Sequence, residues 1–161
     1  MPMCLCLLTG PGANGDRQVL LGRKKTGLGT GKIVGLGGHV EPGETAAQAA
    51  VREVGEEAGL LVDPAALHAV AQVTYLFPAR PRWDQVVSVF SASDWTGEPT
   101  ETDEISPRWF PVRALPLGQM WDDARFWLPL ALAGQRLTGR FTFASDCDTV
   151  AHAQLGPAPL A

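Results

Sequence analysis

Apolar and polar residues alternate along much of the chain, in short runs separated by glycine- and proline-rich turns. The runs predict seven strands, at residues 3–9, 18–24, 67–77, 85–92, 108–112, 137–144 and 148–155. The first two runs are joined by the loop GPGANG, and we expect them to pair. The runs on either side of the turn PARPRW predict a hairpin.

Two stretches have the helical period instead. The first covers 44–58, where Thr45 and Gln48 have the spacing of a capping box and Gly59 suits the helix end. The second is ARFWLPLALAG, residues 124–134, despite its internal proline. These two helices and the strands predict an α/β fold.

Acidic residues on the first predicted helix lie close together. Glu53, Glu56 and Glu57 fall on one arc because their spacings are i, i+3 and i+4. A separate apolar stripe should face the core, formed by Ala47, Val51, Val54 and Ala58. A solvated surface is the simpler reading of any single glutamate, but clustered carboxylates favour a hard cation. Mg²⁺ is the first candidate and Mn²⁺ the second.

The stretch 38–60 also fits a longer pattern, G-x5-E-x7-R-E-[apolar]-x-E-E-x-G-[apolar]. Its defined positions are filled by Gly38, Glu44, Arg52, Glu53, Val54, Glu56, Glu57, Gly59 and Leu60. A chance match is on the order of 10⁻⁹ per starting point. The stretch resembles the signature of the Nudix hydrolases. This resemblance implies an α/β/α sandwich with a mixed, largely antiparallel sheet between the two helices, and a loop-helix-loop box that binds Mg²⁺ and a diphosphate.

The resemblance further implies roles for individual residues. The metal ligands would be the Gly37 carbonyl and the carboxylates of Glu53, Glu56, Glu57 and Glu104. One of these carboxylates would act as the general base. Arg52 and Glu44 would orient the metal-binding glutamates, as residues around metal ligands commonly do.

Similarity extends beyond the box. The segments VLLGRKKTGLGTGK, TDEISPRWF and MWDDARFWLPLALAGQRLTGRFTF resemble the Nudix branch that hydrolyses oxidised purine nucleoside triphosphates such as 8-oxo-dGTP, especially its animal members. The resemblance implies that the base stacks on Trp121 and that Asp122 and Asp123 bind its edge. The other pocket positions that it implies are Lys24, Val34, Phe77 and Trp127.

Two departures from that branch leave the base preference open. Ile33-Val34 replaces a Trp-Asn pair, so the asparagine amide that contacts the base is missing. No proline separates Trp121 from Asp122, so the loop is one residue shorter. Each tryptophan could also be a core residue, and one aspartate of the pair could cap the second helix.

Composition sets broader limits. With 161 residues the chain suits one domain, and we expect residues 155–161 to form a frayed tail. The formal net charge of −4 argues against a nucleic-acid polymer as partner, and no apolar run approaches the ~20 residues of a membrane span. Cys4, Cys6 and Cys147 suggest no disulfide framework, which favours a reducing cytoplasm. The oligomeric state stays open, with a monomer as the default.

These observations predict a Mg²⁺-dependent pyrophosphohydrolase. It would convert an oxidised purine nucleoside triphosphate to the monophosphate and pyrophosphate, which sanitises the nucleotide pool and so serves DNA repair. One alternative keeps the chemistry but changes the substrate, to another damaged nucleotide or a dinucleoside polyphosphate. Two others are a binding module without catalysis, which would release no pyrophosphate, and a scaffold whose acidic helix contacts basic partners and binds no metal.

Overall fold

The computed structural model describes residues 1–158, which form nine strands and two α-helices. The strands are β1 (Pro2–Pro11), β2 (Arg17–Lys24), β3 (Ile33–Val34), β4 (Leu36–His39), β5 (His68–Leu76), β6 (Gln85–Ala92), β7 (Ile105–Pro111), β8 (Leu137–Phe143) and β9 (Val150–Pro157). The helices are α1 (Ala46–Ala58) and α2 (Ala124–Leu132). Every predicted strand and helix is present, with shifted ends.

The strands form one mixed sheet in the order β3-β2-β1-β6-β5-β8-β9, with β4 on β1 and β7 on β2. Only β1–β6 and β5–β8 are parallel, so the expected largely antiparallel sheet is confirmed. The predicted β5–β6 hairpin is also present. Strand β1 pairs with β4 along its first half and with β2 near its end, so the sheet divides between β4 and β2.

Each face of the sheet is covered by one helix. Leu7 of β1 packs in the core under α2, together with Trp127 and Leu128. Its neighbours Cys6 and Leu8 point the other way, into the core under α1. Alternation along β1 therefore fills both cores, as the period of two in a strand requires. The α/β/α arrangement agrees with the prediction.

Helix α1 has the predicted caps. Gln48 N donates to Thr45 Oγ1 at 3.1 Å and Thr45 N donates to Gln48 Oε1 at 2.8 Å, which completes the capping box. Gly59 ends the helix in the left-handed region, with φ 70°. The helix begins at Ala46 because Thr45 is extended, so Glu44 lies outside the helix. The predicted start at residue 44 was two residues early.

The buried face of α1 differs from the predicted stripe. The buried residues are Ala49, Ala50, Val54, Glu57 and Ala58, whereas Ala47 and Val51 are only partly buried. The helix is thus rotated so that part of its acidic arc packs against the sheet. Two glycines of β4 leave the space for these carboxylates, and a pattern that places every glutamate in solvent cannot show this.

Residues 155–157 form part of a strand, which was not expected. Leu155, Gly156 and Pro157 pair with Gly139, Thr138 and Leu137 of β8. The predicted frayed tail is therefore wrong for residues 155–157, because β8 offers them an edge with which to pair. Residues 159–161 of that prediction lie outside the described part of the chain. Within residues 1–158, neither helix has the length and apolarity that a membrane span requires.

Candidate active site

Three carboxylates converge where α1 meets the loop before β7. Glu53 and Glu57 lie on α1. Glu104 immediately precedes Ile105, the buried first residue of β7. One oxygen of each lies within 4.8 Å of the others. The Lys25 backbone N–H donates to the Glu104 carbonyl at 2.9 Å and ties this loop to the end of β2. The structure therefore brings together three of the predicted metal ligands.

Two glycines of β4 make room for this cluster. A Cβ at Gly38 would lie 2.6 Å from the Glu53 carboxylate, and one at Gly37 would lie 1.9 Å from the Cys4 carbonyl oxygen. The Gly37 N–H donates to Glu57 Oε1 at 2.7 Å. Side chains at these positions would push the carboxylates or β1 away. Both positions therefore require glycine, because the Glu53 carboxylate or the β1 backbone lies too close for a side chain.

Burial perturbs the carboxylates strongly. Glu57 is only 6% exposed, and burial raises its pKa to about 8, against the effect of the Gly37 hydrogen bond. The nearby charges of Glu53 and Glu104 raise this pKa further. Burial also raises the pKa of Glu53, which the Arg52 guanidinium partly offsets. A hard divalent cation would relieve this repulsion, so an all-oxygen donor set of this kind fits Mg²⁺ or Mn²⁺.

Arg52 organises the acidic residues around the cluster. Its guanidinium donates to Glu44 at 2.6 Å, to Glu53 at 3.0 Å and to the His39 carbonyl at 3.0 Å. The Glu44 hydrogen bond is the largest cause of the raised Arg52 pKa and the lowered Glu44 pKa. Glu56 lies 3.3 Å from Arg52 with a side chain 52% exposed, outside the cluster. Glu56 is turned away because it lies to one side of the arc that faces β4.

A cavity of about 150 Å³ extends from this cluster into the core under α2. Glu57, Gly37 and Gly38 are among its lining residues. The predicted pocket residues that line it are Lys24, Val34, Phe77, Trp121, Asp123 and Trp127. Phe77 stacks on Phe143 with ring centroids 4.5 Å apart, and Trp121 meets both rings edge-on. One side of the cavity is therefore an aromatic wall.

The two aspartates after Trp121 have different surroundings. Asp123 is 2% exposed, lines the cavity and accepts a hydrogen bond from Trp127 Nε1 at 2.7 Å. Its Oδ1 is buried and has no hydrogen-bond partner among the described residues. Burial raises the Asp123 pKa to about 6, although the Trp127 hydrogen bond lowers it. One carboxylate oxygen is therefore free for a ligand.

Asp122 does not share this position. It accepts hydrogen bonds from Arg125 and from the Val150 backbone N–H, both at 2.8 Å, and it does not line the cavity. Of the two aspartates predicted to bind the base, only Asp123 therefore lines the cavity in this structure, because Arg125 and the start of β9 hold Asp122 aside. The capping role is not formed. Asp123 occupies the N-cap of α2, but its side chain makes no capping hydrogen bond.

Sequence reasoning missed several residues of the cavity. Tyr75, Met120 and Phe143 line it and were not singled out. Alternation along β8 carried a signal for one of them, because Phe141 and Phe143 lie on the same face, toward α2. Tyr75 lies next to buried Asp123. Burial raises the pKa of Tyr75, and the charge of Asp123 raises it further. Nothing in the sequence marks that contact, since it joins β5 to the start of α2.

Comparison with known proteins agrees with this geometry. A model of the NUDIX domain matches residues 7–131, which include the acidic cluster and Trp121. The chain belongs to the NUDIX family. Among its NUDIX relatives, the oxidized purine nucleoside triphosphate hydrolase of Danio rerio is 41% identical over 150 residues, 93% of this chain and 91% of the relative. The protein of that name in Mus musculus is 41% identical over 134 residues, 83% of each chain.

The fold of this NUDIX chain is also similar to solved structures. The MutT protein of Bacillus halodurans superposes with a TM-score of 0.77, covering 98% of this chain and 99% of its own, at 21% identity. At that identity the match shows the fold alone. The predicted Nudix α/β fold is confirmed.

Proposed function

We propose that this NUDIX chain hydrolyses an oxidised purine nucleoside triphosphate, such as 8-oxo-dGTP, to the monophosphate and pyrophosphate. This reaction would remove damaged nucleotides from the pool used for DNA synthesis. One observation carries the proposal: a single cavity is lined by the buried carboxylate of Glu57 and also by Trp121 and Asp123. The phosphates and the base of one nucleotide can then be bound together. The two relatives that are 41% identical carry this activity in their names.

The phosphate end would hold the metal. Glu53, Glu57 and Glu104 offer the converging oxygens, and the Gly37 carbonyl is the fourth proposed ligand. Glu56 would join them only after its carboxylate leaves Arg52. When bound, Mg²⁺ would neutralise phosphate charge and lower the pKa of a water molecule. Mn²⁺ would serve in the same site.

The protein's own groups would perform the remaining work at this end. Arg52 and Glu44 hold the Glu53 carboxylate in place through a continuous set of hydrogen bonds. Lys24 lines the cavity, and its charge lowers the pKa of Glu57. Its ammonium would therefore attract the phosphates that bind beside Glu57. One glutamate of the cluster would accept the proton of the attacking water.

The base end would select the nucleotide. Trp121 offers a stacking surface, and base stacking on an aromatic ring is worth ~1 to 3 kcal/mol. Asp123 Oδ1 accepts a hydrogen bond when the carboxyl is ionised and can donate one when it is protonated. Val34 presents an apolar surface where an asparagine would offer an amide. Recognition of the base edge would therefore fall mainly on Asp123.

The test is a panel of nucleotides at one Mg²⁺ concentration. It contains 8-oxo-dGTP, 2-hydroxy-dATP and the unmodified triphosphates, and the readout is pyrophosphate release as kcat/KM. We expect the highest kcat/KM for an oxidised purine nucleotide. The variant Glu57→Gln should lower turnover of every nucleotide by several orders of magnitude. A preference for a pyrimidine would refute the substrate class, while release of no pyrophosphate from any nucleotide would favour a binding module.

The domain organisation, oligomeric state and compartment of the enzyme are also proposed. We propose one domain over residues 1–161 that acts as a monomer in the cytoplasm, without a membrane or a nucleic-acid polymer as partner. The three cysteines are unpaired, and two of them are buried, which suits a reducing compartment. Light scattering of the purified protein would test the monomeric state.

A further inference from the structure

Lys32 lies against the ring on which the base is proposed to stack. Its Nζ is 4.8 Å from the centroid of the Trp121 ring and 3.0 Å from Asp148 Oδ1. Trp121 lines the cavity, whereas Lys32 is not among the lining residues of the described chain. The ammonium therefore lies over the indole without itself lining the cavity. The indole still lines the cavity, where a ligand can reach it.

Lys32 and Asp148 are each held in place by hydrogen bonds within their own loop. Asp146 accepts hydrogen bonds from the backbone N–H groups of Asp148 and Thr149, each at 2.9 Å, which fixes the turn between β8 and β9. In the glycine-rich loop, the Lys32 N–H donates to the Gly29 carbonyl at 2.9 Å. Lys32 thus bridges two loops that each have their own hydrogen bonds.

The same glycine-rich loop contacts Trp121 a second time. Gly29 has φ +83°, and a Cβ there would lie 2.9 Å from Trp121 Nε1. The backbone at Gly29 therefore packs so close to the Nε1 side of the indole that no side chain would fit, while the Lys32 ammonium lies over the ring. One loop thus approaches the indole at two points, which restricts the rotation of the ring.

We propose that Lys32, fixed by Asp148, is a positioning residue that holds the Trp121 indole in the orientation used for base stacking. This inference rests on the proposed function, since it takes Trp121 as the stacking surface. A cation over an aromatic face is attracted by the ring quadrupole. Holding the ring in one orientation lowers the entropy that is lost when the base binds.

The structure distinguishes this role from a direct contact with phosphate. Lys24 lines the cavity beside Glu57, while the charge of Lys32 is engaged by Asp148. A stacking role predicts an effect only on ligands that carry a base. A phosphate contact would affect inorganic tripolyphosphate as well.

The experiment compares Lys32→Met, Lys32→Arg and Asp148→Asn with the wild type. We expect Lys32→Met to weaken 8-oxo-dGMP binding by about two- to five-fold in calorimetry, the size of an exposed cation–π contact, and to raise KM equally while kcat stays within about two-fold. Lys32→Arg should restore binding, and Asp148→Asn should give a smaller loss. The matched control is Arg113→Met, which removes an exposed ion pair of 3.1 Å elsewhere on the surface and should change nothing.

Two further readouts make each outcome decisive. Inhibition by tripolyphosphate should be equal in the wild type and Lys32→Met; weaker inhibition in the variant would overturn the positioning role. The indole N–H signal of Trp121 in ¹⁵N NMR of the ligand-free proteins should shift or broaden in Lys32→Met but not in Arg113→Met. An unchanged signal would refute the inference. Wild-type protein that binds 8-oxo-dGMP no better than dGMP would instead refute the proposed substrate class, and the NMR signal would still decide the role of Lys32.

Discussion

Gly38 offers the sharpest test of how β4 and α1 build the acidic cluster. In Gly38→Ala the new methyl group would lie 2.6 Å from the Glu53 carboxylate, where ordinary contact begins at 3.4 Å. The carboxylate must therefore move by about 0.8 Å or more. The backbone at Gly38 is not in the left-handed region, and the obstructing atoms end a side chain, so the fold should persist.

A shift of this size should be costly for catalysis. Misplacement of a reacting group by ~1 Å can reduce the rate by ~10²-fold. We expect Gly38→Ala to lower kcat by about that factor and to weaken Mg²⁺ activation, with a melting temperature close to that of the wild type. The assay is pyrophosphate release over a Mg²⁺ titration, together with thermal unfolding of each protein.

Three companion variants give the comparison its force. Gly118→Ala places a methyl group in open space and should be silent. Gly37→Ala meets the Cys4 backbone at 1.9 Å and should disturb the β1–β4 pairing, hence stability as well as activity. Glu53→Asp alone withdraws the carboxylate by ~1.5 Å without adding a methyl group, and by the same argument it should lower kcat at least as much as Gly38→Ala. Wild-type kcat and Mg²⁺ dependence in folded Gly38→Ala would refute the reasoning.

The other predictions concern pH and the base. The folded-state pKa of Glu57 is about 8, above its ordinary value of 4.5, so metal-free protein should lose stability as pH rises between these values. Unfolding in EDTA should show this loss, and Mg²⁺ should reduce it. Trp121→Ala should raise KM by about ten- to a hundred-fold with little change in kcat, because stacking is similar in ground and transition states; equal KM values would make Trp121 a core residue. Val34→Asn should widen the kcat/KM preference for 8-oxo-dGTP over dGTP, and an unchanged ratio would show that this position does not contact the base.

Local chemistry explains what could be read from the sequence. The caps of α1 are formed by Thr45, Gln48 and Gly59, which act within a few residues of themselves, and these residues have the capping roles that the pattern predicted. The strands follow from alternation that each face of the sheet enforces. Neither signal says how far a helix is rotated about its axis. That rotation depends on the glycines of β4, which let Glu53 and Glu57 lie toward the sheet while Glu56 turns to Arg52.

The base end shows the same limit more strongly. Asp122 and Asp123 are adjacent and chemically identical, so local sequence gives no reason to separate them. Their difference comes from Val150, whose N–H holds Asp122, and from Trp127, whose indole holds Asp123. Val150 is 28 residues away from its partner. Contacts of that range depend on the packing of β9 and α2, which no short pattern encodes.

Glu57 and Asp123 are the two buried carboxylates of the cavity, and their charges are compensated differently. A divalent cation beside Glu57 favours its ionised form, so bound metal removes most of its tendency to hold a proton. Asp123 accepts a hydrogen bond from Trp127, and the nearby Tyr75 hydroxyl also lowers its pKa, while its Oδ1 is without a hydrogen-bond partner of good geometry among the described residues. That oxygen can still accept from a ligand. Under saturating Mg²⁺ we therefore expect the pH dependence of base recognition near pH 6 to follow the proposed role of Asp123, which would accept from the base above its pKa and donate below it.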